Sequence, residues 1–206
     1  MTQQKGGAGK TTVLTSLAAH FAGHGETVSV LDLDPQASTL AWARARAARP
    51  QLPRVEVIES AEWRARGDIR AAARGTDIVL VDAPGSADSI GRSAMRAADF
   101  ALIPCQPSAA DVWATEATLE HLREIGLAHA IVFNRVPPRS RVADAAIIEA
   151  EDLGAPILAP RLGARAIFAE AFMTGRGAGE MPRAARAAEE IAALAGAIGA
   201  RMKAAA

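Results

Sequence analysis

Cysteine is nearly missing from this 206-residue chain: Cys105 stands alone, so no intramolecular disulfide can form and no cysteine cage can hold a metal. Tyrosine is absent, and aromatic residues make up only 4% of the sequence. No apolar run approaches the roughly 18 residues that a membrane-spanning helix needs. The opening residues, Met1 to Lys5, include no apolar segment that could act as a secretion signal. These absences predict a cytoplasmic protein. The histidines at 20, 24, 121 and 129 do not cluster as metal ligands. His20 and His24 share an i,i+4 spacing, but no glutamate lies between them and Phe21 does, so a zinc-protease reading fails. Charge of one sign is also lacking: 23 basic and 23 acidic residues cancel, so bulk charge announces no polyanion partner. Half of the residues are hydrophobic and 22% are charged, which at this length predicts one domain over residues 1–206 with a sizeable core.

Lysine is scarce as well, and its placement is informative. Three of the 23 basic residues are lysine, at 5, 10 and 203, and the rest are arginine. Two of the three flank a run of small residues in Lys5-Gly-Gly-Ala-Gly-Lys10-Thr-Thr12, which suggests that a compact ammonium is required there. Gly6, Gly7, Ala8 and Gly9 carry no bulky side chain, so their backbone N–H groups can surround phosphate oxygens. A helix beginning near Lys10 adds the positive end of its dipole. The pattern predicts that Lys10 reaches the β- and γ-phosphates of a nucleotide, that the Thr11 hydroxyl ligates Mg²⁺, and that Thr12 contacts the α-phosphate side. A glycine-rich turn before a helix explains the glycines but not two lysines and two threonines in this register. The usual phosphate-loop pattern has glycine five residues before Gly9; here that position is Gln4.

Apolar runs bounded by turn residues alternate with longer helical patterns, which predicts βαβ units. Strands are expected at 28–31, 55–58, 78–81, 101–103, 130–133 and 156–158. Helices are expected at 10–24, 39–49, 62–74, 111–125, 142–153, 164–173 and 183–203. Strands rich in Val, Ile and Leu without polar alternation fit a doubly wound, mostly parallel sheet with helices on both faces. A phosphate loop normally follows a central strand, yet only four residues precede Lys5. The expectation is that the chain shown starts late in that strand.

Two other strands end in acids. Asp82 closes Asp77-Ile-Val-Leu-Val-Asp82, and a carboxylate at the C-terminal end of a parallel strand faces the ligand crevice, so it is the candidate to hold Mg²⁺ through water. Asp32 and Asp34 leave the strand at 28–31; Asp34 is placed to order the attacking water or the metal's water shell, and Asp32 either supports it or caps the next helix. Asn134, in Phe133-Asn-Arg135, has the donor and acceptor to pair with adenine, although asparagine at a strand end also serves as a turn former. The segment Pro104-Cys-Gln-Pro-Ser-Ala-Ala-Asp111 is a stiffened loop: a lid, a dimer surface, or an N-cap by Ser108 or Asp111. Trp42, Trp63 and Trp113 fall in helical patterns and are expected to pack. Ile191, Leu194, Ile198 and Met202 form one narrow stripe on the last helix; its polar face lacks the basic richness of a membrane-surface helix, so docking on the sheet is expected.

Taken together, Lys5 to Thr12, Asp32-Leu-Asp34-Pro-Gln-Ala-Ser, Asp77 to Gly85, Pro104 to Asp111, Asn134-Arg135 and Gly163-Ala-Arg165-Ala-Ile-Phe-Ala resemble the ParA/MinD family of deviant Walker A ATPases, most closely its small partition ATPases. The resemblance spans nearly the whole chain, in order. It implies ATP hydrolysis with Mg²⁺, an ATP-dependent homodimer in which Lys5 reaches the partner's phosphates, non-specific DNA binding on the nucleoid, and a ParB-like or adaptor protein that stimulates hydrolysis. The arginines 135, 139, 141, 161, 165 and 176 are the candidates for phosphate contacts to DNA, each otherwise a solvated surface residue. Within the superfamily, one cysteine does not serve an iron–sulfur reductase, which needs two per subunit, and the lack of tyrosine does not serve a tyrosine kinase. No membrane partner is expected, because a MinD-like regulator needs a basic amphipathic tail. The main reading is DNA partition; a ParA-like positioning ATPase for a protein cargo, such as a chemoreceptor array or microcompartment, shares the same site.

Overall fold

The computed structural model describes residues 1–3, 7–84 and 89–205. Strands β1 (Val28–Asp32), β2 (Glu56–Glu59) and β3 (Ile78–Asp82) form a parallel sheet in the order β2-β1-β3. Strands β4 (Ala101–Cys105) and β5 (His129–Phe133) form a second parallel pair. Residues 1–3 bridge the two. The Met1 amino group donates to Val81 O (2.6 Å) and Ala83 N donates to Met1 O (3.4 Å), the bond pattern of a parallel partner opposite Asp82. On the other side Thr2 N donates to Leu102 O at 3.2 Å. The reciprocal bond from β4 would come from residue 104, which is a proline without an N–H. Residues 1–3 therefore lie between β3 and β4, at the position of the central strand.

The strands lack polar alternation because both faces are covered. On one face, Leu102, Ala130 and Val132 pack with Val13 and Leu17 of α1 (Lys10–Gly23), Phe168 of α7 (Ala166–Met173) and Ile191 and Leu194 of α8 (Ala185–Ala205). Their strand neighbours Ile103, Ile131 and Phe133 face the other way, onto Val112, Leu119 and Leu122 of α5 (Ala109–Glu124) and Ile147 of α6 (Arg141–Glu151). In the other half of the sheet, Val28 and Val30 meet Leu14 and Ala18 of α1. Leu31 packs on the opposite face with Ala65 and Ile69 of α3 (Glu62–Ala72) and Ala94 of α4 (Ser89–Met95). Helix α2 (Ser38–Ala47) follows the exit of β1.

The expected elements form, with differences that have local causes. Strand β4 continues through Pro104 to Cys105, where the sequence suggests a stop at 103. Segment 156–158 makes only a single bridge, Ile131 to Ile157. Beside it Pro160, again lacking a donor, interrupts the run before Leu162 N bonds Phe133 O at 2.9 Å. Helix α4 and the 3-10 turn Ala178–Glu180 are additional to the elements that the sequence pattern predicts. Trp42 is buried as expected, but Trp63 and Trp113 are not: they stand 83% and 62% exposed. Both sit on outward faces of α3 and α5, Trp63 beneath the Arg64 guanidinium and Trp113 donating from Nε1 to Glu149 Oε1 at 2.6 Å. The stripe on α8 docks as expected, with Ile191 and Leu194 buried, Ile198 packed beside them and Met202 at the exposed end. No helix among the described residues is long and apolar enough to cross a membrane.

Candidate nucleotide-binding site

The site lies at the C-terminal edge of the sheet, where the strand register aligns Asp32 with Asp82. The loop before α1 turns on Gly7 and Gly9, both at φ +84°, a left-handed conformation that glycine adopts without steric cost. Gly9 is also the residue from which α1 starts, so the free N–H groups of its first turn open toward the loop. Lys5 and Gly6, expected in the site, lie outside the described residues. Ala8 is fully buried, and Lys10 is buried with its Nζ 3.4 Å from Gln3 O. Thr12 is half-buried near the start of the helix.

Asp82 gathers the hydroxyls around it. Thr11 Oγ1 donates to Asp82 Oδ2 at 2.7 Å, and Thr39 Oγ1 of α2 donates to the same oxygen at 3.0 Å. The other oxygen, Oδ1, is buried and accepts no hydrogen bond from the described residues. Burial pushes the Asp82 carboxyl above the usual carboxylate range; the Thr11 hydrogen bond, the Met1 ammonium, the Thr39 hydrogen bond and Lys10 oppose that shift. A buried acid with one idle oxygen beside a threonine hydroxyl is a donor set suited to a hard divalent cation, so these residues fit Mg²⁺.

Asp32 performs both tasks left open by the sequence. Its Oδ1 accepts from Asp34 N and its Oδ2 from Leu40 N in the first turn of α2, each at 3.1 Å, so it fixes the Asp34 loop and caps the helix. Burial raises its pKa, while those two backbone bonds pull it down. Asp34 is half-buried, and its Oδ1 accepts from Gln36 N at 2.9 Å. Asn134 is buried, and its Nδ2 donates to Ala8 O at 2.8 Å. The Pro104–Asp111 loop supplies the N-cap reading: Ser108 accepts from Asp111 N at the start of α5. It also sends Gln106 Nε2 to Gly7 O at 3.1 Å.

The six arginines expected to contact DNA differ in their surroundings. Arg139, Arg141 and Arg161 are exposed. Arg135 is also exposed but lies over the loop, with Nη1 donating to Gly7 O at 3.0 Å. Arg165 is paired with Glu190 at 2.7 Å, a contact that raises its pKa, and Arg176 is half-buried next to Trp42, which donates to its carbonyl. Sequence reasoning missed Gln3, Thr39 and Gln106. The Ser38-Thr39 pair after Asp34-Pro35-Gln36 is a visible signal for Thr39; nothing local marks the other two.

Residues 1–177 match the family described as the CobQ/CobB/MinD/ParA nucleotide binding domain. The chain is 33% identical to the maintenance of carboxysome distribution protein A of Halothiobacillus neapolitanus over 196 residues, covering 91% of this chain and 89% of that protein. It is 31% identical to the protein ParA of Rhizobium radiobacter over 182 residues, covering 83% and 80%. Among solved structures, an ATP complex of a Cyanothece McdA variant superposes with a TM-score of 0.76 at 18% identity, covering 96% of this chain and 94% of that one. MinD of Pyrococcus horikoshii with Mg-ADP gives 0.75 at 21% identity and covers 96% of each, so both share the fold. The chain belongs to the CobQ/CobB/MinD/ParA nucleotide-binding family, and it is a ParA-type ATPase.

Proposed function

We propose that this protein is a dimerising positioning ATPase whose cargo is a protein assembly. The observation that carries the reading is the 33% identity over nearly the full length of a protein that maintains carboxysome distribution. In this reading Gly6, Gly7, Ala8 and Gly9 cradle the phosphates, Lys10 meets the β/γ oxygens, Thr12 sits at the α-phosphate side, and Lys5 acts across the dimer. Thr11 and Asp82 hold Mg²⁺, whose charge offsets that of the phosphate oxygens. Asp34, on a loop that Asp32 braces, orders the attacking water. Asn134 stands next to the nucleotide, and the whole of 1–206 acts as one ATPase domain.

A second reading, DNA partition with a ParB-like partner, is supported by the relation to ParA of Rhizobium radiobacter and by 32% identity to the chromosome-partitioning ATPase Soj of Thermus thermophilus over 60% of this chain. Both readings include a sequence-independent DNA surface near Arg139, Arg141 and Arg161, doubled by dimerisation, and a place on the nucleoid. Deleting the gene and imaging the host separates them. Loss of even spacing of a protein compartment, with DNA loci still segregating, supports the first; mis-segregated DNA supports the second. A salt titration of binding to random duplex DNA, with ATP and with ADP, tests the shared part. Tight binding only with ATP, falling steeply with salt, is expected.

A further inference from the structure

A phosphate loop works only if its peptide N–H groups face the anion, and in a planar peptide the carbonyl then points the opposite way. Those carbonyls need donors of their own, or they are free to rotate toward the phosphates and repel them. Here donors are supplied from outside the loop. Asn134 Nδ2 donates to Ala8 O at 2.8 Å, while Gln106 Nε2 and Arg135 Nη1 converge on Gly7 O at 3.1 and 3.0 Å. The three residues follow the ends of the adjacent strands β4 and β5, so one rigid sheet edge aims them all. Two details indicate a built contact. Arg135 adopts φ +55°, which costs energy for a residue with a side chain, and from there its guanidinium reaches the loop. A Cβ added at Gly9 would come 2.4 Å from Asn134 Nδ2, so the approach is possible only with glycine there.

We propose that Gln106, Asn134 and Arg135 are positioning residues that pin the Gly7 and Ala8 carbonyls away from the phosphate side, so that the Ala8 and Gly9 N–H groups are oriented before the nucleotide arrives. This rests on the reading that the loop takes the phosphates of ATP. It gives Asn134 a role independent of the base and draws Arg135 out of the DNA surface. Pre-oriented donors need no reorganisation on binding, which is where such a clamp adds affinity.

Inorganic tripolyphosphate, a ligand with phosphates and no adenine, separates the roles in calorimetric titrations with Mg²⁺. Asn134→Ala is expected to weaken ATP and tripolyphosphate by the same factor, about tenfold for one lost buried hydrogen bond. A loss for ATP with tripolyphosphate unchanged, or no loss for either, overturns the proposal. Gly7 O keeps one donor in Gln106→Ala and in Arg135→Ala, so each single variant should lose at most about threefold, well under one full hydrogen bond. The double variant should lose more than the product of the two, a non-additivity that a merely structural role does not produce. Arg135→Lys, which can still donate, should recover most of the affinity. Simple additivity for this pair overturns the clamp even if Asn134→Ala fails to fold, as judged by nucleotide-free melting. A wild-type protein that binds neither probe instead sinks the phosphate-loop reading itself, and this inference with it.

Discussion

Thr11 and Asp82 are 71 positions apart, yet the threonine hydroxyl donates to the carboxylate at 2.7 Å. The contact closes the site between the loop that begins α1 and the end of β3, and Thr39 joins it from α2. Both hydroxyls converge on one oxygen of a buried acid, while Oδ1 has no hydrogen-bond partner among the described residues.

That acid makes nucleotide-free stability depend on pH. Burial raises the native pKa of Asp82, so the folded state holds its proton at pH values where the unfolded chain, near the usual value of about 3.9, has lost it. The unfolded state then binds fewer protons, and stability falls as pH rises from about 4 through the raised value. Asp82→Asn removes the charge, so its melting temperature between about pH 4.5 and 6 should slope less than that of the wild type. Above that range the buried Met1 amino group, lowered to about 6, adds a slope of the opposite sign. Asp32, also raised by burial, keeps part of the slope. Hydrolysis by the variant should drop by roughly 10²-fold, the scale of losing one pre-organised electrostatic contact. An unchanged slope together with wild-type turnover contradicts the assignment.

Lys10→Ala should abolish ATP binding in a calorimetric titration, because the ammonium that meets the β/γ oxygens is gone. Unchanged affinity refutes the loop assignment. Lys5→Ala should leave ATP binding by the monomer largely intact and lose dimerisation and turnover, by a factor on the order of 10³ if it acts in trans as an arginine finger does. A Lys5→Ala monomer that cannot bind ATP places Lys5 in its own subunit's site.

Asp34→Ala should separate binding from turnover. ATP still binds and the γ-phosphate persists, so a dimer should accumulate on size-exclusion chromatography with ATP. A monomer that hydrolyses normally rules out the role.

Arg46 anchors α2 to the segment before α8. It is buried, pairs with Glu180 at 2.8 Å, and donates to the carbonyls of Pro53 and Gly175. Arg46→Ala leaves Glu180 without its cation and should cost roughly 3–5 kcal/mol in denaturant unfolding. Gly175→Ala should also destabilise, since Gly175 sits at φ +67° and a Cβ there would come 2.1 Å from Arg46 N. Loss of under about 1 kcal/mol in Arg46→Ala, the scale of an exposed ion pair, shows that the pair is dispensable.

The sequence by itself determined the parts of this protein that are contiguous. Gly7 to Thr12 is one stretch of backbone whose shape follows from its glycines and from the helix start that comes after. The doubly wound class followed from β-runs with no polar face, because strands buried on both sides read that way whatever their order. Tertiary structure decided what depends on residues far apart in the chain. Only the register of β1 against β3 sets Asp32 beside Asp82, and only the crossing of α2 over that edge brings Thr39 to the same carboxylate. Residues 1–3 link β3 and β4 through backbone bonds to both strands, which no side-chain pattern encodes. Periodicity also left open which helical faces would be covered, so Trp63 and Trp113 read as core and stand in solvent. The donors on Gly7 and Ala8 come from two other strand ends, and a hydrogen bond that joins residues 99 to 128 positions apart leaves no local trace.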